Sequence, residues 1–388
     1  MPVKILSVDD ELDLEILLTQ YFRRKIRKGE YEFTFAHNGL EALQLLLEKK
    51  DFDIILSDIN MPEMDGLTLL TRINEMRDPA LKCIMVSAYG DMENIRSAMN
   101  NGAFDFATKP IDLDDLSRTI EKAIEQINFV KESQCEHRQL ESIKSDLAIA
   151  GEIQQAILPR KFPPFPALKA QVDIFASMTP AKEVGGDFYD FFQIDETHLG
   201  FVIADVSGKG VPASLFMAVS RTLLRATGLR GLPSHECMNI VNKLLCKESL
   251  DSMFVTVFYG IYNLETGEID YTNAGHNPPY VLKHNNQVEA LPLSQNFIVG
   301  VFDDFVYKNS SLTLEPGDTL VLYTDGVTEA FNPEKTQFGE AGLEKTLKSV
   351  PGAGSQEITE ALLEDIHDFA GDEPQSDDIT TLMIKRLK

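Results

Sequence analysis

The stretch VIADVSGKGVPASL, Val202 to Leu215, joins an apolar run to a glycine-containing turn and a segment led by a proline. The run ends at one acidic residue, Asp205, and the turn spans Gly208 to Gly210. This order predicts a buried strand that leads through a turn into a helix. By itself, Asp205 fits either an ordinary polar turn or a functional carboxylate at a strand end, and the rest of the chain decides between them.

Composition limits the classes of function. The chain has 388 residues, of which 43% are hydrophobic and 25% charged, as is typical of a globular protein with two or three domains. Its formal net charge of −25 argues against nucleic acid or an anionic membrane as partner. No signal peptide or membrane-spanning run is present, so we expect a cytoplasmic protein. The four cysteines lack metal-type or CxxC spacing and are predicted to be reduced, buried thiols.

The first 116 residues alternate short apolar runs with amphipathic stretches. This alternation predicts a doubly wound, five-stranded parallel sheet covered by helices on both faces, an α/β fold. The predicted strands are VKILSV (3–8), EFTFA (32–36), FDIILSD (52–58), LKCIMVSA (81–88) and AFDFATK (103–109).

A long helical segment follows, from Leu116 to about residue 158, with no glycine before Gly151 and no proline before Pro159. Apolar residues recur in it with the 3.5-residue repeat of a coiled coil, and QCEHRQ (134–139) breaks the repeat. The segment fits either a homodimeric coiled coil over 116–158 or one long helix packed on its own domains. KFPPFP (161–166) is predicted to end it. The apolar positions are Leu116, Ile120, Ala123, Ile127 and Val130, then Leu140, Ile143, Leu147, Ala150 and Ile157.

Beyond residue 168 the strands follow one another through hairpin-like turns such as LETGE and EPGD. Helical blocks near 212–229, 234–247, 339–349 and 355–369 are separate from them. Strands and helices segregated in this way predict an α+β layered domain.

Polar residues end the predicted parallel strands: Asp9 and Asp10 the first, Asp58 the third, Ser87 the fourth and Lys109 the fifth. The carboxyl ends of parallel strands meet at one edge, so these side chains are expected to converge. Three carboxylates together predict a Mg²⁺ site. A lysine and a hydroxyl beside it would hold phosphoryl oxygens, which indicates phosphoryl transfer onto Asp58.

Residues 1–120 resemble the receiver domain of two-component response regulators, on the motifs VDDE, SDINMPEMDG, VSA and ATKP. The resemblance implies that a histidine kinase is the phosphodonor and Asp58 the phosphoacceptor. It also implies that Phe106 is either an aromatic switch or a plain core residue. The implied Mg²⁺ ligands are Asp9, Asp10, Asp58 and the carbonyl of Asn60, and the implied phosphoryl contacts are Ser87 and Lys109.

Four further aspartates lie next to apolar runs or glycines: Asp187 in EVGGDFYDFF, Asp205 in IADVSGKG, Asp325 in YTDGVTEAF and Asp377 in QSDDIT. Carboxylates beside a core are costly unless a cation neutralises them. Oxygen ligands without His or Cys favour Mg²⁺ or Mn²⁺ over zinc. Their wide spacing means that only the fold could assemble them.

Residues from about 147 to 388 look like the bacterial PP2C-type serine/threonine phosphatases of the sporulation and stress-response sigma-regulator branch. The matching motifs are AGEIQQAILP, GGDFYD, IADVSGKGVPA, MFVTVFYG, TNAGHNPP, LVLYTDGVTEA and SDDIT. The resemblance implies an αββα sandwich that hydrolyses phosphoesters at two Mn²⁺ or Mg²⁺ ions, without a phosphoenzyme. Asp205 would bridge the ions. The other implied ligands are the carbonyl of Val206 and the carboxylates of Asp187, Asp325 and Asp377, with Asp378 as the alternative to Asp377.

The wider superfamily places a histidine two residues after the bridging aspartate, where this chain has Ser207. The wider superfamily also has an arginine that clamps phosphate, and no basic residue of this chain clearly matches it. The proton donor to the leaving group is therefore open. His276 is either that donor or a structural residue in a turn, and Asp190 and Glu329 are predicted to be exposed polar residues without a required role.

These features predict three segments: a receiver domain over 1–120, a helical linker over 117–160 and a phosphatase domain over 161–388. The implied function is dephosphorylation of a phosphoserine or phosphothreonine protein, gated by phosphorylation of Asp58. The resemblance makes an anti-sigma-factor antagonist the leading substrate. The alternative is a catalytically silent module that binds and sequesters a regulatory partner when Asp58 is phosphorylated.

Overall fold

The computed structural model describes residues 2–49, 51–88, 92–162, 170–248 and 253–388. The chain divides into two compact units, Met1–Ile143 and Lys144–Lys388. Among the described residues, no helix combines the length and apolar composition needed to cross a membrane.

The first unit begins with a strand and alternates strands with helices. The strands are β1 (Val3–Val8), β2 (Tyr31–Ala36), β3 (Ile54–Asp58), β4 (Lys82–Ala88) and β5 (Asp105–Lys109). The helices are α1 (Leu12–Tyr21), α2 (Arg23–Arg27), α3 (Gly39–Glu48), α4 (Gly66–Glu75), α5 (Met92–Asn100) and α6 (Leu113–Ile157). The strands form a parallel sheet in the order β2-β1-β3-β4-β5, which confirms the predicted α/β fold. Neighbouring residues of β1 point to opposite faces: Ile5 packs with helices α1 and α6, and Leu6 with α3 and α4.

The first half of α6 packs on its own unit, which is one of the two predicted alternatives. Its apolar stripe at Leu116, Ile120, Ala123 and Ile127 is buried in the core of the first unit, so these four residues are not available to a second chain. A coiled coil over the rest of the 116–158 segment stays a prediction. The helix ends at Ile157, before KFPPFP, and residues 163–166 of that stretch lie outside the described residues.

The second unit contains two five-stranded sheets, which confirms the predicted layered domain. The strands are β6 (Val172–Thr179), β7 (Phe188–Gln193), β8 (His198–Val206), β9 (Val255–Asn263), β10 (Glu268–Ala274), β11 (Tyr280–Leu282), β12 (Val288–Ala290), β13 (Ser310–Thr313), β14 (Thr319–Tyr323) and β15 (Ile379–Arg386). The helices are α7 (Val211–Gly228), α8 (Ser234–Glu248), α9 (Asp325–Thr328), α10 (Gly339–Ser349) and α11 (Ser355–Ala370). One sheet has the order β13-β10-β9-β8-β7 and contacts α7 and α8; the other has the order β12-β11-β14-β15-β6 and contacts α10 and α11. Buried residues of both sheets form one core, as in an αββα sandwich.

Two sequence-based expectations about exposure are wrong. Asp190 is fully buried rather than exposed, because β7 is covered on both of its faces. Cys135 is exposed and Cys246 is half-buried, whereas Cys83 and Cys237 are buried as predicted; all four are free thiols.

Candidate phosphoacceptor and metal sites

The carboxyl edge of the parallel sheet brings three aspartates together. Asp9 and Asp10 follow β1 and Asp58 ends β3, and one oxygen from each lies within 4.8 Å of the other two. Asp9 and Asp58 are buried, and burial raises the pKa of Asp9. Hard carboxylate oxygens at this spacing fit a single Mg²⁺.

Lys109, at the end of β5, brings a positively charged side chain to this edge of the sheet. Its Nζ lies 2.7 Å from Asp58 Oδ2, 3.0 Å from Asp9 Oδ2 and 3.0 Å from Glu11 Oε1. Burial alone would lower the pKa of Lys109, but its hydrogen bonds with Asp58, Asp9 and Glu11 raise it above the usual value. The lysine therefore stays charged beside the candidate phosphoacceptor. Glu11 was missed from the sequence, although it belongs to the VDDE motif.

The remaining predicted residues of this edge take up the following positions. Asn60 is exposed, and its backbone N–H lies 3.4 Å from Asp58 Oδ1. Ser87 is buried at the end of β4, one residue beyond Val86, which pairs with Asp58. Phe106 is half-buried against the core, a position that fits either of its two predicted roles.

In the second unit, the four predicted aspartates lie at strand ends of both sheets. Asp187 immediately precedes β7 and Asp205 lies one residue before the end of β8, in antiparallel strands where Phe188 pairs with Ala204. Asp325 follows β14 after one residue, and Asp377 precedes β15 by two. Val206, whose carbonyl is a predicted ligand, ends β8.

The electrostatics of these carboxylates shows that they face one another. Burial, followed by the charges of Asp205 and Asp378, raises the pKa of Asp187 well above its usual value. Burial and the charge of Asp325 raise the pKa of Asp205 to about 7. Burial and the charge of Asp377 raise the pKa of Asp325. A cation among these residues would remove the repulsion that causes part of each shift.

Asp377 and Asp378 have different surroundings. Asp378 accepts hydrogen bonds from the backbone N–H groups of Ala181 (2.8 Å) and Gly186 (2.6 Å), so it ties the loop before β7 to the start of β15. A Cβ at Gly185 would clash with the Asp378 carboxylate, which explains the glycine there. Asp377 instead forms an ion pair with Lys209 and acts on Asp325 through its charge.

The donor set fits a pair of divalent ions. Asp187 Oδ2 is buried and has no hydrogen bond of normal geometry in the described part of the chain. The hydroxyls of Thr324 and Thr380 are near enough to oppose part of the rise in the Asp187 pKa, and a cation would satisfy this oxygen more fully. The described aspartates of this unit do not form a cluster as tight as that of Asp9, Asp10 and Asp58. Two ions about 3.5–4 Å apart spread their ligands more widely than one ion does.

The residues considered as proton donors to the leaving group differ in burial and in hydrogen-bond and ion-pair partners. His276 is buried, its Nδ1 lies 2.9 Å from Thr256 Oγ1, and burial lowers its pKa to about 4. Burial and the lowered pKa favour the structural role of His276 over the donor role, and its role stays a prediction. Buried Asp190 forms ion pairs with Arg221 (3.0 Å) and Arg225 (2.7 Å) of α7, and Glu329 is exposed as predicted.

Gln154, near the end of α6, is a buried residue to which no role was given from the sequence. Its Nε2 donates to the carbonyl of Gly185 (2.6 Å), and its Oε1 accepts from the N–H of Gly185 (3.0 Å). One turn earlier, a Cβ on Gly151 would clash with the carbonyl of Glu183. The end of α6 therefore packs closely on the loop that carries Asp187. The AGEIQQAILP motif was the signal for this contact.

Two family models match the chain. The response regulator receiver domain matches residues 5–121, and Stage II sporulation protein E (SpoIIE) matches residues 195–387. Phosphoserine phosphatase RsbU of Bacillus subtilis is 30% identical over 246 residues, covering 63% of this chain and 71% of RsbU. The chain belongs to the RsbU and SpoIIE family of PP2C-type protein phosphatases, with a response-regulator receiver domain at its N-terminus.

Two further comparisons each cover part of this chain. Protein IcfG of Synechocystis is 32% identical over 268 residues, which cover 62% of this chain but only 41% of IcfG. The SiaA-PP2C domain of Pseudomonas aeruginosa superposes with a TM-score of 0.56 at 22% identity, covering 64% of this chain and 98% of that domain. This likeness supports the PP2C-like fold of the second unit.

Proposed function

We propose that this family member hydrolyses phosphoserine or phosphothreonine in a protein substrate, using two Mn²⁺ or Mg²⁺ ions, and that phosphorylation of Asp58 controls the reaction. The observation that carries the proposal is the convergence of Asp187, Asp205, Asp325 and Asp377, three of them with pKa values raised by burial and by one another. When bound, the two ions would supply an activated water and positive charge for phosphoester hydrolysis.

Each side chain at this site of the second unit would have a distinct role. Asp205 would be a ligand to both ions, and Asp187, Asp325, Asp377 and the carbonyl of Val206 would be the other ligands. Asp378 would position the Asp187 loop through its hydrogen bond to the N–H of Gly186. Because His276 is held neutral, the leaving group would receive its proton from another source.

In the receiver domain, Mg²⁺ would be held by Asp9, Asp10, Asp58 and the carbonyl of Asn60, as the carboxylate cluster supports. A histidine kinase would supply the phosphoryl group to Asp58, and Ser87 and Lys109 would contact its oxygens. Phe106 is proposed as the switch residue.

Gating would act through the end of α6, where Gly151 and Gln154 contact the loop that carries Asp187. A small shift of this helix end would move Asp187 relative to Asp205. Exposed Leu140 and Ile143 are proposed as the part of α6 that pairs with a second copy of the chain.

The substrate class follows the family. RsbU is a phosphoserine phosphatase by name, and we propose a phosphorylated anti-sigma-factor antagonist in the cytoplasm as the substrate here. The net charge of −25 argues against nucleic acid as a partner.

Mn²⁺ titration of phosphoserine-peptide hydrolysis tests the proposal. We expect saturable activity in the wild-type chain and a loss of at least about 100-fold in Asp205→Asn and Asp325→Asn, because each removes a metal-binding charge. Asp304→Asn, at an exposed site, is the matched control. A wild-type protein that binds no Mn²⁺ by metal analysis and hydrolyses nothing would contradict the proposal and favour a silent binding module.

A further inference from the structure

Lys209 is the cation next to the candidate phosphatase ligands. Its Nζ lies 2.7 Å from Asp377 Oδ2 and 2.7 Å from the carbonyl oxygen of Ser376. Among the residues that the structure describes, no other lysine or arginine forms an ion pair with Asp187, Asp205, Asp325 or Asp377. No role was predicted for Lys209 from the sequence, although it lies in the SGKG turn that follows Asp205.

Charge balance requires a further cation when substrate binds. Two divalent ions neutralise four carboxylates, and Asp378 adds a fifth beside Asp187 and Asp205. The metal-loaded site would therefore have no spare positive charge for a phosphoryl group that carries close to two negative charges. Such groups are bound in proteins mainly by lysine, arginine and backbone N–H groups.

The turn around Lys209 leaves room for an incoming group. Gly208 and Gly210 adopt φ values of +89° and +75°, and a Cβ at either position would meet nothing within 4 Å. The Lys209 side chain is 44% exposed, so its four-carbon stem is free to change direction. Gly210 also caps the 18-residue helix α7 without a side-chain hydrogen bond, so the partial positive charge of the helix end lies beside the same turn.

We propose that Lys209 binds the phosphoryl group of the substrate. When a metal ion neutralises the Asp377 carboxylate, the Lys209 ammonium group would move from that carboxylate to a phosphoryl oxygen. This inference rests on the proposed function. Lys209 would bind phosphate in place of the phosphate-clamping arginine, for which this chain has no clear match.

The test compares Lys209→Met, Lys209→Arg and the wild-type chain, with Lys345→Met at an exposed position of α10 as the matched control. Calorimetry measures Mn²⁺ binding and then inorganic phosphate binding to the Mn²⁺-loaded protein. Kinetics on a phosphoserine peptide give KM and kcat separately, and thermal unfolding confirms that each variant is folded.

We expect Lys209→Met to weaken phosphate binding and to raise KM by about 10-fold or more, because a charge-assisted hydrogen bond is lost. Mn²⁺ should bind as tightly as in the wild type or more tightly, because a competing cation is gone. Lys209→Arg should retain most of the phosphate binding, and Lys345→Met should behave as the wild type.

A change in Mn²⁺ affinity alone, with phosphate binding and KM within about 2-fold of wild type, would overturn the inference and leave Lys209 as a counter-ion of Asp377. Absence of phosphate binding by the Mn²⁺-loaded wild-type chain would also overturn it. Lys209-dependent phosphate binding without hydrolysis would support the inference and contradict the proposed function, so the two failures are distinguishable.

Discussion

Gln154 and Gly185 exchange two hydrogen bonds, one from the Gln154 amide to the Gly185 carbonyl (2.6 Å) and one from the Gly185 N–H to Gln154 Oε1 (3.0 Å). Gln154 lies in the last turns of α6, and Gly185 lies two residues before Asp187. Both hydrogen bonds are buried, so neither is replaced by water when it breaks. The pair joins the end of the long helix to the loop that carries a candidate metal ligand.

Removing this pair should loosen the Asp187 loop. Gln154→Ala leaves the N–H and carbonyl of Gly185 without these partners, at a cost of about 1–3 kcal/mol. We expect the Kd for Mn²⁺ to rise by the part of this cost that the metal-bound state bears and the metal-free state does not, up to about 150-fold. Calorimetric Mn²⁺ titration measures the change. Glu152→Ala, exposed on the same helix, is the control. Equal Mn²⁺ affinity in Gln154→Ala and the wild type would contradict a coupling role for the pair.

The pKa of Asp205 predicts a pH-dependent effect on the metal-free protein. Its folded-state pKa is raised from 3.8 to about 7, mainly by burial, so ionisation of Asp205 destabilises the fold, and this penalty accumulates as pH rises from 3.8 to about 7 and levels off above it. Asp205→Asn should therefore raise the Tm of the metal-free phosphatase unit at pH 8 and change it much less at pH 5. Saturating Mn²⁺ should reverse the benefit. A gain in Tm that is equal at both pH values would contradict a pKa near 7, because Asp205 would then not change its protonation state between pH 5 and pH 8.

His276 should act on stability and not on the proton transfer. Its pKa is lowered to about 4 by burial, so the folded state loses stability as pH falls from 6.5 toward 4, by roughly 3 kcal/mol. His276→Gln should reduce this acid sensitivity while leaving the pH profile of kcat between pH 6 and 8 unchanged. Urea unfolding at several pH values and steady-state kinetics measure the two effects. A shifted acid limb of kcat in the variant would instead identify His276 as the donor.

Asp190 should be a strong stability residue. It is fully buried and compensates Arg221 and Arg225, of which Arg221 is largely buried. Asp190→Asn removes the charge between the two guanidinium groups and is expected to cost about 3–5 kcal/mol of unfolding free energy. Chemical denaturation measures this cost, with exposed Glu329→Gln as the control at about 0.5 kcal/mol or less. A cost for Asp190→Asn as small as that of the control would contradict the importance of the buried pairs.

Much of the fold was predictable because hydrophobic periodicity reflects local burial. All five strands of the first unit lie within a residue or two of the predicted runs, and the predicted helical blocks of the second unit match α7, α8, α10 and α11. The stripe from Leu116 to Ile127 was ambiguous for a physical reason. A helix presents the same apolar face whether it packs on its own sheet or on a second helix, so periodicity alone does not identify the partner.

The buried polar residues were harder to predict, because their partners are distant in sequence. Asp190 in FYDFF has aromatic neighbours on both sides, and this lack of alternation was the available sign of a strand covered on both faces. Arg221 and Arg225, four residues apart on α7, were the matching sign on the other element. Gln154 and Lys209 carried no periodic signal. Only the assembled loops bring them beside Gly185 and Asp377.

The receiver domain is proposed to control a metal-dependent phosphatase. The most direct measurement is Mn²⁺-dependent hydrolysis of a phosphoserine substrate with and without beryllofluoride, which mimics a phosphoryl group on Asp58. Asp325→Asn serves as the blank and Asp58→Asn as the receiver control. We predict a rate that changes several-fold with beryllofluoride in the wild type, does not change in Asp58→Asn, and is absent in Asp325→Asn. A wild-type rate that is identical with and without beryllofluoride, in protein shown to bind it, would contradict the account.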